Sequence, residues 1–131
     1  MAKLTADMKA MLGKQMAIVA TASKSGVPNA GPKGSLLAID AETLVYSEAT
    51  GGKTLKNLQE NPNVTVMVFD REKSDGYQIK GRAELLTGGS LFEQIARRQE
   101  ERKRPRPQHV VKIAINEIYS VGSGMKGKKL G

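Results

Sequence analysis

Short segments with a two-residue hydrophobic period constrain the fold of this chain most strongly. The longest runs from 77 to 85, where apolar or small residues occupy every second position and polar residues lie between them. Residues 64–69 have the same period but are apolar on both faces, which is typical of a strand buried on both sides. Further strands are predicted at 16–21, 28–39, 43–47 and 110–121.

Helical periodicity is confined to brief segments. It predicts helices over 4–13 and 54–60, and a third helix opening at Ser90, where Ser90 and Glu93 have capping-box spacing. Six or seven strands, hairpin turns and short helices favour a mainly β protein built as an antiparallel barrel. Gly81 is a predicted bend point in its strand. Phe69 and Tyr77 are expected in the core.

The composition excludes several kinds of site. The 131 residues fit one domain, 1–131. Because the chain has no cysteine and one histidine, it cannot form a thiol nucleophile, a cysteine-ligated metal centre or a multi-histidine metal site. The apolar runs are too short to span a bilayer, and charged residues interrupt the N-terminal region where a signal peptide would lie. We therefore expect a cytoplasmic protein with no membrane partner.

Positive charge is concentrated at the C-terminal end. Residues 97–131 carry 10 basic and 3 acidic side chains, most of them in the segment 97–106 and in the tail 122–131. A solvated helix end followed by a flexible basic tail is one interpretation. A non-enzymatic barrel that binds nucleic acid or another phosphorylated ligand is the alternative. Because no aromatic residues are interleaved with the cations, nucleic acid is the less favoured partner.

A glycine-containing loop between a predicted strand and a predicted helix is the strongest candidate for ligand binding. Gly51 and Gly52 allow backbone N–H groups to face an anion, while Lys53 adds a charge and Thr54 a hydroxyl. These groups suit a phosphate ester. The loop is not a P-loop, because Ser47 occupies the position of that motif's first glycine. The alternative interpretation, a glycine-rich turn that precedes a capped helix and binds no ligand, is equally compatible with these residues.

Several strings, taken in order, extend the interpretation to nearly the whole chain. The chain resembles the pyridoxamine 5′-phosphate oxidase-like FMN-binding split barrels, and within them the small one-domain FMN-binding proteins. The strings that carry this resemblance are Ala17–Thr21, Val27–Asn29, Gly51–Thr54 with Asn57–Leu58, Asn61–Val64, Gly76–Ala83 and Phe92–Arg97.

The resemblance implies a homodimer with FMN at the subunit interface. It places the FMN phosphate at Gly52, Lys53 and Thr54, after Gly51. It places the flavin ring and ribityl chain along two segments, Gly31, Pro32, Lys33, Gly34 and Ser35, and Ser47, Glu48, Ala49 and Thr50. The resemblance implies that the protein is a flavoprotein and an oxidoreductase. It would be similar to flavin reductases or related to pyridoxamine 5′-phosphate oxidase. It would pass electrons or hydride to a small molecule or flavin partner, and the flavin would supply the chemistry without a catalytic side chain.

Overall fold

Seven strands and three short helices make up the described part of the chain, which is residues 2–122 and 127–131 of a computed structural model. The helices are α1 (Ala6–Lys14), α2 (Lys53–Glu60) and α3 (Ser90–Glu101). The strands are β1 (Ile18–Ala22), β2 (Pro28–Pro32), β3 (Leu37–Asp40), β4 (Thr43–Glu48), β5 (Asn63–Asp70), β6 (Asp75–Leu86) and β7 (His109–Ser120).

All seven strands belong to one antiparallel sheet with the order β2-β1-β5-β6-β7-β4-β3. Its centre is formed by β6 and β7, which are 12 residues long each. The register of this pair shifts between Lys80 and Gly81. The predictions of a mainly β antiparallel fold and of a bend at Gly81 are therefore confirmed.

Alternate residues of the strands fill the larger of two hydrophobic clusters, and a smaller one lies between α3 and the strands β4 and β7. Val19, Val66, Ile79 and Ile113 are completely buried in the larger cluster, and Met8 and Leu12 of α1 pack against the same cluster. Tyr77 is half-buried and also contacts this core, as expected. Burial of these side chains is the main favourable contribution to the stability of the sheet.

The expectation that both faces of β5 are buried is wrong for a single chain. The valines of β5 point inward, while Met67 and Phe69 point outward and are 40% and 37% exposed. Phe69 is therefore not a core residue. Neither side chain belongs to a hydrophobic cluster of the described residues. The outer face of β5 is therefore accessible to solvent at these two positions.

The predicted second strand, 28–39, is two strands that lie at opposite ends of the sheet order. Pro32 has no N–H for a ladder, and a turn closed by the Leu36 N–H on the Lys33 carbonyl (3.2 Å) follows it. The chain thus leaves β1 and crosses to β4, where it pairs again as β3. The segment 33–36 is consequently a connection and not the middle of a strand.

Two expectations at the C-terminal end also change. The capping box predicted at Ser90 is absent, because the N-cap of α3 is Gly89 and makes no side-chain cap. Residues 123–126 of the expected flexible tail lie outside the described residues. Residues 127–131 lie against β7, where hydrogen bonds between the backbones of Leu130 and Ile118 (2.7 Å) and of Lys128 and Ser120 (2.8 Å) hold them.

None of the helices formed by residues 2–122 and 127–131 has the length and apolar character that crossing a membrane requires.

The bend at Gly81 yields a test of the fold. A methyl group at this position would collide with the Ala114 carbonyl oxygen and would lie 2.8 Å from Cγ2 of Ile113. We expect Gly81→Ala to lower the free energy of unfolding by about 1–3 kcal/mol, measured by urea denaturation. Gly88→Ala is the control, because that glycine has open space around it. Equal stabilities for the two variants would contradict the assignment of Gly81 as a close-contact position.

Candidate functional site

The N-terminus of α2 is open to an anion. Its N-cap, Gly52, offers no side-chain cap, and its first turn contains no acidic residue. Lys53 is exposed there, while Thr54 is buried and its hydroxyl accepts a hydrogen bond from Nδ2 of Asn29 (3.2 Å). The first N–H groups of a helix have no partner within the helix, so this end can bind a negatively charged group.

Gly31 brings β2 close to the start of α2. A Cβ atom at this position would lie 3.8 Å from Oγ1 of Thr54. The absence of a side chain therefore leaves room between the strand and the helix end. Gly31 and Thr54, which the resemblance assigns to different parts of the FMN site, are neighbours here.

A cavity of about 440 Å³ opens beside this junction. Its walls come from the end of β2 and its connection to β3, from the end of β4 with the loop that follows, and from the end of α3 with the segment after it. The predicted site residues that line it are Pro32, Lys33, Gly34, Ser35, Ser47, Glu48, Ala49 and Thr50.

The remaining predicted residues lie outside this cavity. Gly51 and Gly52 are exposed in the loop that leads into α2. Gly31 of β2 and Thr54 of α2 face each other where the strand and the helix are in contact. Lys53 lines a second cavity of about 430 Å³, together with Asn29 and Lys56. The structure thus separates a helix-end region from a cavity region, which one extended ligand would have to bridge.

An ion pair forms part of the cavity wall. Nζ of Lys33 lies 2.9 Å from Oε1 of Glu48, and the two side chains are 18% and 1% exposed. Oε2 of Glu48 accepts hydrogen bonds from the Gly51 N–H (3.2 Å) and the Thr50 hydroxyl (3.4 Å). Burial alone would raise the pKa of Glu48, yet Lys33 and the backbone N–H groups of Gly51 and Thr50 together hold it below its usual value.

Two buried polar side chains at the end of β4 lack partners, and of these Ser47 lines the cavity whereas Tyr46 does not. Oγ of Ser35 accepts from the Ser47 N–H (2.9 Å), which joins the β2–β3 connection to β4. Oγ of Ser47 and the hydroxyl of Tyr46 are buried and make no hydrogen bond with the described residues. Burial, and next the charge of Glu48, raise the pKa of Tyr46, so its hydroxyl stays protonated. Buried polar atoms without partners are uncommon, and a bound ligand or water would satisfy them.

The last turn of α3 and the segment after it supply cavity residues that the sequence pattern did not reveal. Gln99, Arg102 and Arg104 line the cavity, with Met16 and Pro105. The chain folds back here because the Arg104 N–H donates to the Gln99 carbonyl (2.8 Å), with Lys103 in the left-handed region at φ 57°. The basic run was the available signal, but the sequence could not show that part of it faces β4.

Arg106 has a different role from its basic neighbours. Its guanidinium pairs with both oxygens of Glu93 (2.8 and 3.1 Å) and lies 5.5 Å from the centre of the Phe92 ring. These contacts attach the segment to α3. The basic segment is therefore divided between an arginine that holds it in place and arginines that line the cavity.

The side chains that line the cavity are suited to binding a ligand and not to acting as nucleophiles or as acid–base catalysts. Glu48 is occupied by Lys33 and by the loop, and the other polar residues are hydroxyls and cations. Within the described residues, no cluster of three or more histidine, aspartate or glutamate side chains is arranged to hold a metal ion. Such a site suits a ligand that brings its own reactivity.

Comparison with known proteins shows close relatives over nearly the full chain. A profile of the pyridoxamine 5′-phosphate oxidase family matches residues 4–122. MJ0282, an uncharacterized protein of Methanocaldococcus jannaschii, is 36% identical over 98% of this chain and 87% of its own length. The crystal structure of HupZ from Group A Streptococcus is 34% identical, covers 98% of this chain and 99% of that one, and superposes with a TM-score of 0.91.

More distant structures share the fold. An FMN-binding protein from Syntrophomonas wolfei is 21% identical over 88% of this chain and 84% of that one, with a TM-score of 0.75. HutZ, the heme storage protein of Vibrio cholerae, is 16% identical over 91% and 94%, with a TM-score of 0.69. At these identities the likeness concerns the fold alone. It confirms the split barrel that the sequence resemblance implied.

The Glu48 ion pair predicts a pH-dependent contribution to stability. Because the pKa of Glu48 is lowered in the folded protein, this contribution is present above its usual value of 4.5 and is lost as the pH falls through the folded pKa. We expect Glu48→Gln to lower the free energy of unfolding by about 3 kcal/mol at neutral pH, because it breaks a largely buried pair. The deficit should shrink as the pH falls below 4.5 and through the lowered pKa of Glu48 in the folded protein.

Urea unfolding at neutral and acidic pH measures this difference, with Glu93→Gln as the matched control. Glu93 pairs with Arg106 at the surface, where both side chains are about half exposed or more. Its loss is expected to cost less than about 1 kcal/mol. A Glu48→Gln deficit that is the same at both pH values would show that the charge of Glu48 is not the stabilising feature.

Proposed function

Because the chain belongs to the pyridoxamine 5′-phosphate oxidase family, we propose that it is an FMN-binding flavoprotein, an oxidoreductase that passes electrons or hydride to a small acceptor. The observation that carries the proposal is the open N-terminus of α2 beside a polar cavity. A helix end of this kind fits a phosphate ester, and the cavity fits the larger part of the same cofactor.

The phosphate of FMN would bind at the helix end. The backbone N–H groups after Gly52 point out of α2, Lys53 provides a cation, and no first-turn carboxylate opposes the phosphate charge. Gly31 leaves space on the β2 side. Backbone donors, the helix dipole and one lysine together match a dianionic ester.

The flavin ring would lie in the cavity along the β2–β3 connection. The volume of about 440 Å³ is within the usual range for small-molecule sites. Gly34 leaves the backbone accessible, and the unpaired hydroxyl of Ser47 offers a hydrogen-bonding partner. The fold likeness to an FMN-binding protein is consistent with this arrangement, whereas HutZ shows that heme is the competing ligand to test.

The outer face of the sheet supports a homodimer. Ile18 of β1 lies opposite Met67 of β5, and with Phe69 these side chains form an exposed apolar surface. Met16, two residues before Ile18, is 57% exposed and lines the cavity. A second copy seated on this surface would therefore reach the cavity rim and complete the flavin site. It would also explain why β5 is apolar on both faces.

The proposal is tested first by the absorption spectrum of the purified protein. We expect a yellow protein, or one that becomes so with added FMN, with the ligand identified by mass spectrometry after extraction. Lys53→Ala should weaken FMN binding about tenfold or more, because a charge-assisted hydrogen bond contributes about 1.5–3 kcal/mol. Lys9→Ala, which removes an exposed lysine of α1, should leave FMN affinity unchanged.

Other outcomes of this experiment reject the proposal. A protein that stays colourless when it is titrated with FMN is not an FMN flavoprotein. Extraction of heme or another tetrapyrrole would assign the cavity to a different ligand. Equal FMN affinities for the Lys53 and Lys9 variants would place the phosphate away from α2.

The dimer is tested by the mass of the protein in solution. We expect about twice the 14.1 kDa of one chain by light scattering. Met67→Asp should dissociate the dimer, because it buries a carboxylate in an apolar interface. Ile39→Asp is the control, since Ile39 is exposed to the same degree but lies on β3. A monomeric parent protein, or a dimer unaffected by Met67→Asp, would rule out this interface.

A further inference from the structure

Glu48 contacts protein groups through both of its carboxylate oxygens. One oxygen bonds Lys33 at 2.9 Å, and the other accepts from the Gly51 N–H and the Thr50 hydroxyl. The side chain is 1% exposed although it forms part of the cavity wall. A carboxylate engaged in this way does not contact a ligand in its own right. Its effect on the cavity is exerted through its partners.

Lys33 is the charged partner of Glu48 on the cavity wall. It is 18% exposed, and its ammonium lies 5.4 Å from the centre of the Tyr46 ring. Within the described residues its ion pair is with Glu48 alone. The pair as a whole is neutral while Glu48 is ionised. If Glu48 lost its charge, Lys33 would become a further uncompensated cation on the cavity wall, in addition to Arg102 and Arg104.

The other oxygen of Glu48 controls a different element. Gly51, whose N–H it binds, has φ 71° and precedes the N-cap of α2. The carboxylate therefore fixes the loop between β4 and α2 while it neutralises Lys33. One side chain connects the region of the helix end to the region of the cavity.

We propose that Glu48 is a positioning residue that sets the reduction potential of the bound flavin by neutralising Lys33 beside the ring. This inference rests on the proposed function. Uptake of two electrons and one proton leaves the bound flavin with one additional negative charge. A free cation next to the ring would favour the reduced form, and the ion pair suppresses that effect.

The test uses the FMN-loaded protein, reduced stepwise with dithionite against a redox dye of known potential. In Glu48→Gln we expect the reduced form to be favoured about tenfold more, a positive shift of about 30 mV for a two-electron couple. The double variant Lys33→Met with Glu48→Gln should return to the potential of the parent protein, because it removes both charges. Glu48→Asp keeps the carboxylate, so its potential should equal that of the parent protein.

Glu93→Gln is the matched control. It breaks an ion pair with Arg106 outside the cavity and changes the net charge equally, so it should not change the potential. An unchanged or more negative potential in Glu48→Gln would overturn the inference, and so would an equal shift in Glu93→Gln.

A second variant keeps the inference testable if Glu48→Gln does not retain flavin. Lys33→Met removes the cation and, at about pH 9, leaves Glu48 ionised, so its potential should fall below that of the parent protein at the same pH. An equal or higher potential would overturn the inference. If the parent protein binds no FMN, the proposed function and this inference fail together. If FMN binds but the potentials do not move, the inference alone fails.

Discussion

The ion pair between Lys33 and Glu48 joins the segments that build the candidate site. Lys33 lies where the chain crosses from β2 to β3, and Glu48 lies where β4 ends. A charge as deeply buried as that of Glu48 requires a counter-charge and hydrogen bonds, because desolvation would otherwise neutralise it. Lys33 and the loop donors supply both. The cavity wall, the loop before α2 and the crossing connection are therefore mutually dependent.

A second constraint is the composition of β5. Its inward residues complete the core, while Met67 and Phe69 extend an apolar surface outward. A strand with two apolar faces leaves one of them in water in a single chain, which lowers stability and favours association. This surface continues through Ile18 to Met16 at the cavity rim. The apolar surface that the sheet leaves exposed thus extends to the rim of the candidate site.

The basic segment after α3 shows how one run of charge can hold different roles. Arg106 is fixed by Glu93 and Phe92, whereas Arg102 and Arg104 line the cavity. Arg102 and Arg104 lie on either side of the turn at Lys103, and the reversed chain then leads Arg106 back to α3. Arg102 and Arg104 belong to the candidate site because they line the same cavity as the end of β4.

Local pattern was enough to predict most of the strands, the short helices, the bend at Gly81 and the candidate loop before α2, because these depend on periodicity and on glycine. The sequence also contained the strings that place the chain in its family. It could not separate 28–39 into two strands, because the turn at 33–36 is stabilised by contacts with Ala17 and Ser47 that are distant in sequence. Nor could it show that Phe69 faces outward, since a two-sided apolar pattern does not say what covers each face. The pairing of Lys33 with Glu48 and the approach of Arg102 to β4 arise only when the sheet closes, because long-range antiparallel pairing brings those residues together.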